Sequence, residues 1–530
     1  MSGHSPMQLT LADQPVELAL VSAAADRRLH LNLSEDAAWR GRLEAGRRAL
    51  EGALSAGHPV YGVTTGVGMD AARRIKDPQG FAYQIIRQHG CGLGAFFTPS
   101  EGRAILFTRL VSLAKGYSAV RLELLQALCD LIGHDIIPRI PSLGSVGASG
   151  DLTPLSYVAA VLAGDREVYY RGAILPAIEA LRRAGLSAHE FAPKESLAIM
   201  NGTGVMTAVG ALACRQLARA LNLCERATAL ALEILYGRSL ALHPQVHRCK
   251  GHPGQIASAD AIRTAIEGSG LVDGGPADRG KAEGEDGSGG HAARQSTGRA
   301  ARRIIQDPYS LRCAPQVIGA ARDALTWAET LLTRELNSVN DNPLVDPEAG
   351  TVLFAGNFYG GHIALAMDLI KTAAASVADL IDRQFALLVD RRLNMGLPEN
   401  LVGYGGCGLK ALQLTTSALA ARCIQRASPD TLLSRPTEVH NQDKVSMGLN
   451  AALSAAEVTD LLGQVLATQL IALSNAARLR PEGAVATHGR ALLAAVRRHS
   501  AVLERDRRLD GDLRRLQAAI RDGSLLDRVS

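Results

Sequence analysis

Residues 361–390 read GHIALAMDLIKTAAASVADLIDRQFALLVD, and within them Ile363, Met367, Ile370, Ala374, Val377, Ile381, Phe385 and Leu388 recur at intervals of three and four. That is the period of one face of an α-helix. A stripe this long needs a partner surface, which a bundle supplies. Residues 205–235 and 448–477 predict two more long helices, apolar nearly all round at their centres, as expected of helices enclosed by other helices. Aromatic residues are only 4% of the chain while hydrophobic residues are 47%, so the core is built from small and straight aliphatic side chains that favour helix over sheet. The expected fold class is all-α, with a central bundle of long helices.

Outward from the bundle the pattern changes. The first 200 residues predict shorter helices and Gly- and Pro-rich turns, at His58 to Gly68 and again at Pro138 to Gly150, where glycine allows tight or flexible backbone. The expected organisation is an N-terminal, partly irregular domain over 1–200, the bundle over 201–480 and outer helices over 481–530, the last Arg- and Asp-rich and solvated. Nine of the 23 residues from 268 to 290 are glycine, which predicts a mobile surface loop.

The formal net charge of +5 comes from 57 basic and 52 acidic residues, interspersed over most of the length, which excludes a nucleic-acid footprint. The eight cysteines form no CxxC pair, so reduced thiols in a cytoplasmic protein are expected, without a metal site. The N-terminus lacks the pattern of a secretory signal. Two uncharged stretches, 196–214 and 349–367, have the length of a membrane span, but the polar and glycine residues at 201–204 and 356–361 point to burial inside a soluble protein.

The chemistry is concentrated in residues 141–155, PSLGSVGASGDLTPL. Ala148-Ser149-Gly150 alone proves little; its context counts. With YGVTTG at 61–66, MNGT at 200–203, QDPYSLR at 306–312, GNFYG at 356–360 and EVHNQD at 438–443, the chain from about Tyr61 to Gly448 resembles the histidine and phenylalanine ammonia-lyase family. Members cyclise such a tripeptide into 4-methylidene-imidazol-5-one, with no external cofactor. The chemistry suits the residues: the amide nitrogen of Gly150 reaches the carbonyl carbon of Ala148 only where no Cβ intervenes and the backbone bends sharply. Loss of water, including the Ser149 hydroxyl, then leaves an electrophilic alkene that no standard side chain offers.

The resemblance implies roles for further residues. Tyr61 matches the tyrosine that removes the β-proton, a task that needs a depressed phenol pKa or a relay. Asn201 matches an asparagine lying against the electrophile, with a helix N-cap as its plainer use. Gln306, Tyr309 and Arg312 match active-site positions, Arg312 holding the substrate carboxylate by a bidentate pair. Phe358 matches a ring beside the substrate; Glu438 and Gln442 match polar residues near its amino group, although a carboxylate exposed on a helix is usually only solvated. Gln88 and His89 match the pair that meets the far end of the substrate ring. One departure is Val67, where relatives commonly carry Phe.

The implied activity is elimination of ammonia from an aromatic amino acid to give an αβ-unsaturated aryl acid. Gln88 and His89 both form hydrogen bonds, and a bare phenyl ring would leave them unsatisfied. Histidine lyases of the family carry glutamate at the position of Gln442, so a tyrosine-like substrate is expected ahead of histidine. Histidine ammonia-lyase and an aromatic 2,3-aminomutase are the alternatives; a helical scaffold without chemistry gives no reason for these residues to coincide. Long apolar helices and the family's dihedral assembly imply a homotetramer with shared active sites.

Overall fold

The computed structural model describes residues 7–274, 306–402 and 406–526; most of the glycine-rich stretch at 268–290 lies outside the described residues. The fold is all-α, with eighteen α-helices among the described residues. Three long helices, Gly204–Ile234, Gly361–Val389 and Gly448–Ala477, form its centre. The last packs along both of the others, and the shorter helices Ala314–Leu336 and Lys410–Arg426 lie against them. Between residues 361 and 389 the predicted stripe is buried throughout, from Ile363 to Leu388. Among the described residues, no helix is long and apolar enough to cross a membrane.

The three long helices begin close together, and glycines stand at two of the starts where they touch. A Cβ on Gly360 or on Gly448 would run into Met206 Sδ in the first turn of the helix that starts at Gly204. Glycine at Gly360 and Gly448 leaves that space to the buried Met206 side chain.

The N-terminal part is built on the helix Pro99–Ala114, which opens on a capping box between Thr98 and Glu101 and is buried from Gly102 to its end against the helix 204–234. Around it lie short strands that the helical periodicity did not predict. Met7–Leu11 pairs in parallel with Leu29–Leu33, and Leu93–Phe96 pairs antiparallel with Pro141–Leu143, which places the strand before the tripeptide beside the one following the helix Pro78–Gln88. After Arg480 come two helices, Thr487–Arg497 and Asp510–Asp522. The second turns Leu516, Ala519 and Ile520 inward and leaves its arginines outside.

Candidate active site

The tripeptide lies where the bundle helices begin. Ser446 Oγ donates to the carbonyl of Gly147 at 3.2 Å, and Met447 N to that of Val146 at 3.0 Å, directly before the helix 448–477, which Met447 caps. On the other side Gly150 bridges to Gly202, Asp151 N donates to Gly202 O at 2.8 Å, and the Asp151 carboxylate accepts from Met206 N at 2.8 Å. Gly147 and Gly150 both have positive φ, 72° and 68°. A Cβ on Gly150 would collide with the carbonyl of Gly202, so glycine is required twice over, for its dihedral angles and for the contact. The N-termini of helices 204–234, 361–389 and 448–477 thus converge on residues 146–151, and their backbone dipoles favour negative charge there.

Asn201 stands beside this turn, 3% exposed, with its Oδ1 buried and without a hydrogen-bond partner. It does not cap the long helix. It follows the helix Glu195–Met200 with extended backbone, and Thr203 occupies the N-cap position of the helix 204–234. Neither an N-cap bond nor any other spends its side-chain oxygen, which leaves the amide for a ligand or for a group formed from the tripeptide.

The support beneath these residues was not anticipated from sequence. Arg109 is wholly buried; its guanidinium donates to the carbonyls of Ala198 and Asn201 and, at 2.7 Å, to Asn340 Oδ1. Burial lowers its pKa to about 10, against the attraction of Asp341 and Asp151. Asp151 is equally buried, and desolvation pushes its carboxyl up to about 7 despite bonds from Met206 N and Ser145 Oγ. A buried ion pair joins Lys194 to Asp341. The local signs of this layer were two: an arginine in a largely apolar stretch of helix, and an aspartate directly after the tripeptide.

Tyr61 sits on a turn seated by Val60 and Val63, which pack with Leu50, Ala119 and Val345 in a small second core. Its hydroxyl oxygen accepts from Gly68 N at 2.7 Å. Burial raises the phenol's pKa, the Gly68 N–H lowers it, and the Glu438 carboxylate raises it again; within this chain the depression that a basic phenol needs is therefore absent. Val67 packs against the main core. Glu438 accepts from Met69 N with both oxygens, at 3.1 and 3.2 Å, and so joins the tyrosine loop to the 434–447 segment. It is exposed, as expected, but not on a helix: Glu438, Val439 and His440 all have positive φ in a left-handed turn. Gln442 pairs with Thr437 through its backbone, and its Oε1 accepts from Thr437 Oγ1 at 2.7 Å.

His89 ends the helix 78–88, with Nδ1 at 2.9 Å from Ile85 O. Donation to that carbonyl puts the proton on Nδ1 and makes Nε2 an acceptor. Gln88 is exposed beside it. Tyr309 and Arg312 share one helical turn, Tyr309–Arg312, with the guanidinium 4.5 Å over the ring; Tyr309 is 71% exposed, and Arg312 Nε is buried without a partner. Gln306 is exposed and Phe358 half-buried. Among the described residues, no hydrogen bond or ion pair joins Gln306, Tyr309 or Arg312 to Tyr61 or to the tripeptide. Within one chain the segment 438–447 bonds the tyrosine loop through Glu438 and the tripeptide's turn through Ser446, Asn201 precedes the Gly202 that touches Gly150, and Tyr309 and Arg312 lie on the bundle.

Residues 16–498 match the aromatic amino acid lyase family. The sequence is 37% identical to a histidine ammonia-lyase of Sorangium cellulosum, over 98% of both chains. In three dimensions it is similar to a tyrosine aminomutase from Streptomyces globisporus, with a TM-score of 0.88, 32% identity and 98% of each chain covered. A histidine ammonia-lyase from Trypanosoma cruzi gives a TM-score of 0.85 at 26% identity, covering 99% of this chain and 95% of that one. The chain belongs to the aromatic amino acid lyase family. It is an enzyme, a carbon–nitrogen lyase that releases ammonia.

Proposed function

We propose that this enzyme eliminates ammonia from an aromatic amino acid whose ring carries a hydrogen-bonding edge, tyrosine first, using 4-methylidene-imidazol-5-one made from Ala148-Ser149-Gly150. The observation that carries the proposal is the contact of Gly150 with Gly202, which excludes a Cβ where the amide nitrogen must bend back. The unpartnered Asn201 Oδ1 and three helix N-termini suit such a group as well. Once formed, it supplies an electrophilic alkene that makes the substrate's nitrogen a leaving group.

The chain's own residues do the rest. Tyr61 takes the β-proton, its oxygen steadied by the Gly68 N–H. Arg312, with an unused buried N–H, holds the substrate carboxylate. Glu438 and Gln442 lie toward the amino group, on a segment tied to the tyrosine loop. At the ring end the Nε2 of His89 is left to accept a hydrogen bond from a phenol, while a phenyl ring offers none.

Histidine is the second reading, favoured by the name of the Sorangium cellulosum relative; the aminomutase similarity raises a third outcome, transfer of the amine to the β-carbon. Purified enzyme given tyrosine, phenylalanine and histidine separately, with coumarate, cinnamate and urocanate followed by ultraviolet absorbance, is expected to show its highest kcat/KM with tyrosine. A higher value for histidine replaces the first reading with the second. A β-amino acid in place of free ammonia makes the enzyme a mutase.

A homotetramer with shared sites belongs to the same proposal. Leu365 and Leu369 of the helix 361–389, and Leu414 and Ile424 of the helix 410–426, are exposed apolar residues on bundle helices, and Tyr309 and Arg312 await the remaining site residues from another copy. Sedimentation is expected to give four chains; an active monomer contradicts it.

A further inference from the structure

Gln384 lies in the helix 361–389, deep among apolar side chains and wholly buried. Its Nε2 donates to the carbonyl of Ser310 at 2.9 Å and to Thr228 Oγ1 at 3.0 Å, and its Oε1 accepts from Gln469 Nε2 at 2.6 Å. Thr228 and Gln469 are also wholly buried, on the helices 204–234 and 448–477. Each long helix therefore contributes one polar side chain to a string that ends on Ser310, in the middle of the turn carrying Tyr309 and Arg312.

An amide in an apolar core is costly unless its donors are met, and this string leaves Gln469 Oε1 without a partner. Well-packed apolar side chains would serve the bundle at least as well. The turn Tyr309–Arg312, in contrast, has four residues, too few to hold itself as a helix. Leu311 is buried in the main core and the helix Ala314–Leu336 follows directly; to these the bond from Gln384 adds a polar tie that fixes the backbone at Ser310, between Tyr309 and Arg312.

We propose that Gln384, oriented by Gln469, is a positioning residue that sets Arg312 at the angle from which it grips the substrate carboxylate. The proposal rests on the role given to Arg312 above. A guanidinium that forms two parallel bonds tolerates little tilt, so loss of the tie weakens substrate capture and leaves the chemical step alone.

The test compares Gln384→Met, which keeps size and removes the donors, with Gln384→Glu, Arg312→Met and the double variant Gln384→Met/Arg312→Met. Each is assayed as the intact enzyme with the amino acid that the wild type turns over fastest. Gln384→Met is expected to raise KM about tenfold with kcat within about twofold. Gln384→Glu is expected to recover most of that loss, since burial keeps its carboxyl protonated and its O–H donates to Ser310. In the Arg312→Met background, Gln384→Met is expected to add nothing to KM. A KM unchanged by Gln384→Met while Arg312→Met raises it overturns the proposal and leaves the site intact. So do effects of the two changes that multiply. If Arg312→Met leaves KM unchanged, the carboxylate role fails and the proposal falls with it. Should Gln384→Met not fold, Gln469→Met removes the donor that orients the amide: raised KM with kcat kept supports the proposal, and both unchanged overturns it.

Discussion

Ser149→Ala is expected to lower turnover by about four orders of magnitude or more, because the electrophile contributes chemistry that no other residue can supply, and to leave the fold intact. The side chain is half-buried at a turn held by its neighbours' backbone, through Gly147, Gly150 and Asp151, and these bonds hold the turn in the uncyclised variant too. Peptide mass across residues 140–160 reports the chemistry independently of the assay. In the wild type it is expected to be lighter than the sequence by two waters, one for ring closure and one for the Ser149 hydroxyl, and in the variant to carry its full mass. An unmodified peptide in active wild-type enzyme would sink the proposed electrophile.

Tyr61→Phe is expected to reduce kcat by about 10²- to 10⁴-fold, the usual worth of a positioned proton acceptor, with little loss of stability because Val60 and Val63 seat the turn. The pH dependence gives a finer check. Tyr61 acts as a base only when ionised, so activity rises with pH as the phenol loses its proton. Burial sets that ionisation high, the Gly68 N–H draws it down and Glu438 pushes it up. Glu438→Gln removes an upward influence, so the ascending limb of kcat/KM is expected to move to lower pH, whatever happens to its height. A limb that stays in place or moves upward shows that Tyr61 is not the titrating base.

The bundle was legible because its signal is long-range and repetitive: apolar periodicity placed the helices 204–234, 361–389 and 448–477 to within a residue of their observed ends. The short strands escaped because pairing across two to five residues has no period to detect. Motifs pointed to the tripeptide, Tyr61 and Asn201, but not to what holds them. Arg109 meets Ala198, Asn201 and Asn340 across 89 to 231 residues of sequence, and no local pattern encodes such partners. The left-handed turn at Glu438, Val439 and His440 contains no glycine to announce it, which is why a helix was the natural expectation there.

The meeting of three helix starts at residues 146–151 also divides the labour of the site between parts that titrate and parts that do not. Backbone dipoles carry no exchangeable charge, and those buried here are little screened by salt. The dipoles' share of the pull on negative charge beside the tripeptide is therefore a constant of the fold, while Asp151, its carboxyl pushed up to about 7, adds a share that changes with pH. Whatever dependence on solution conditions the enzyme shows is left to its side chains.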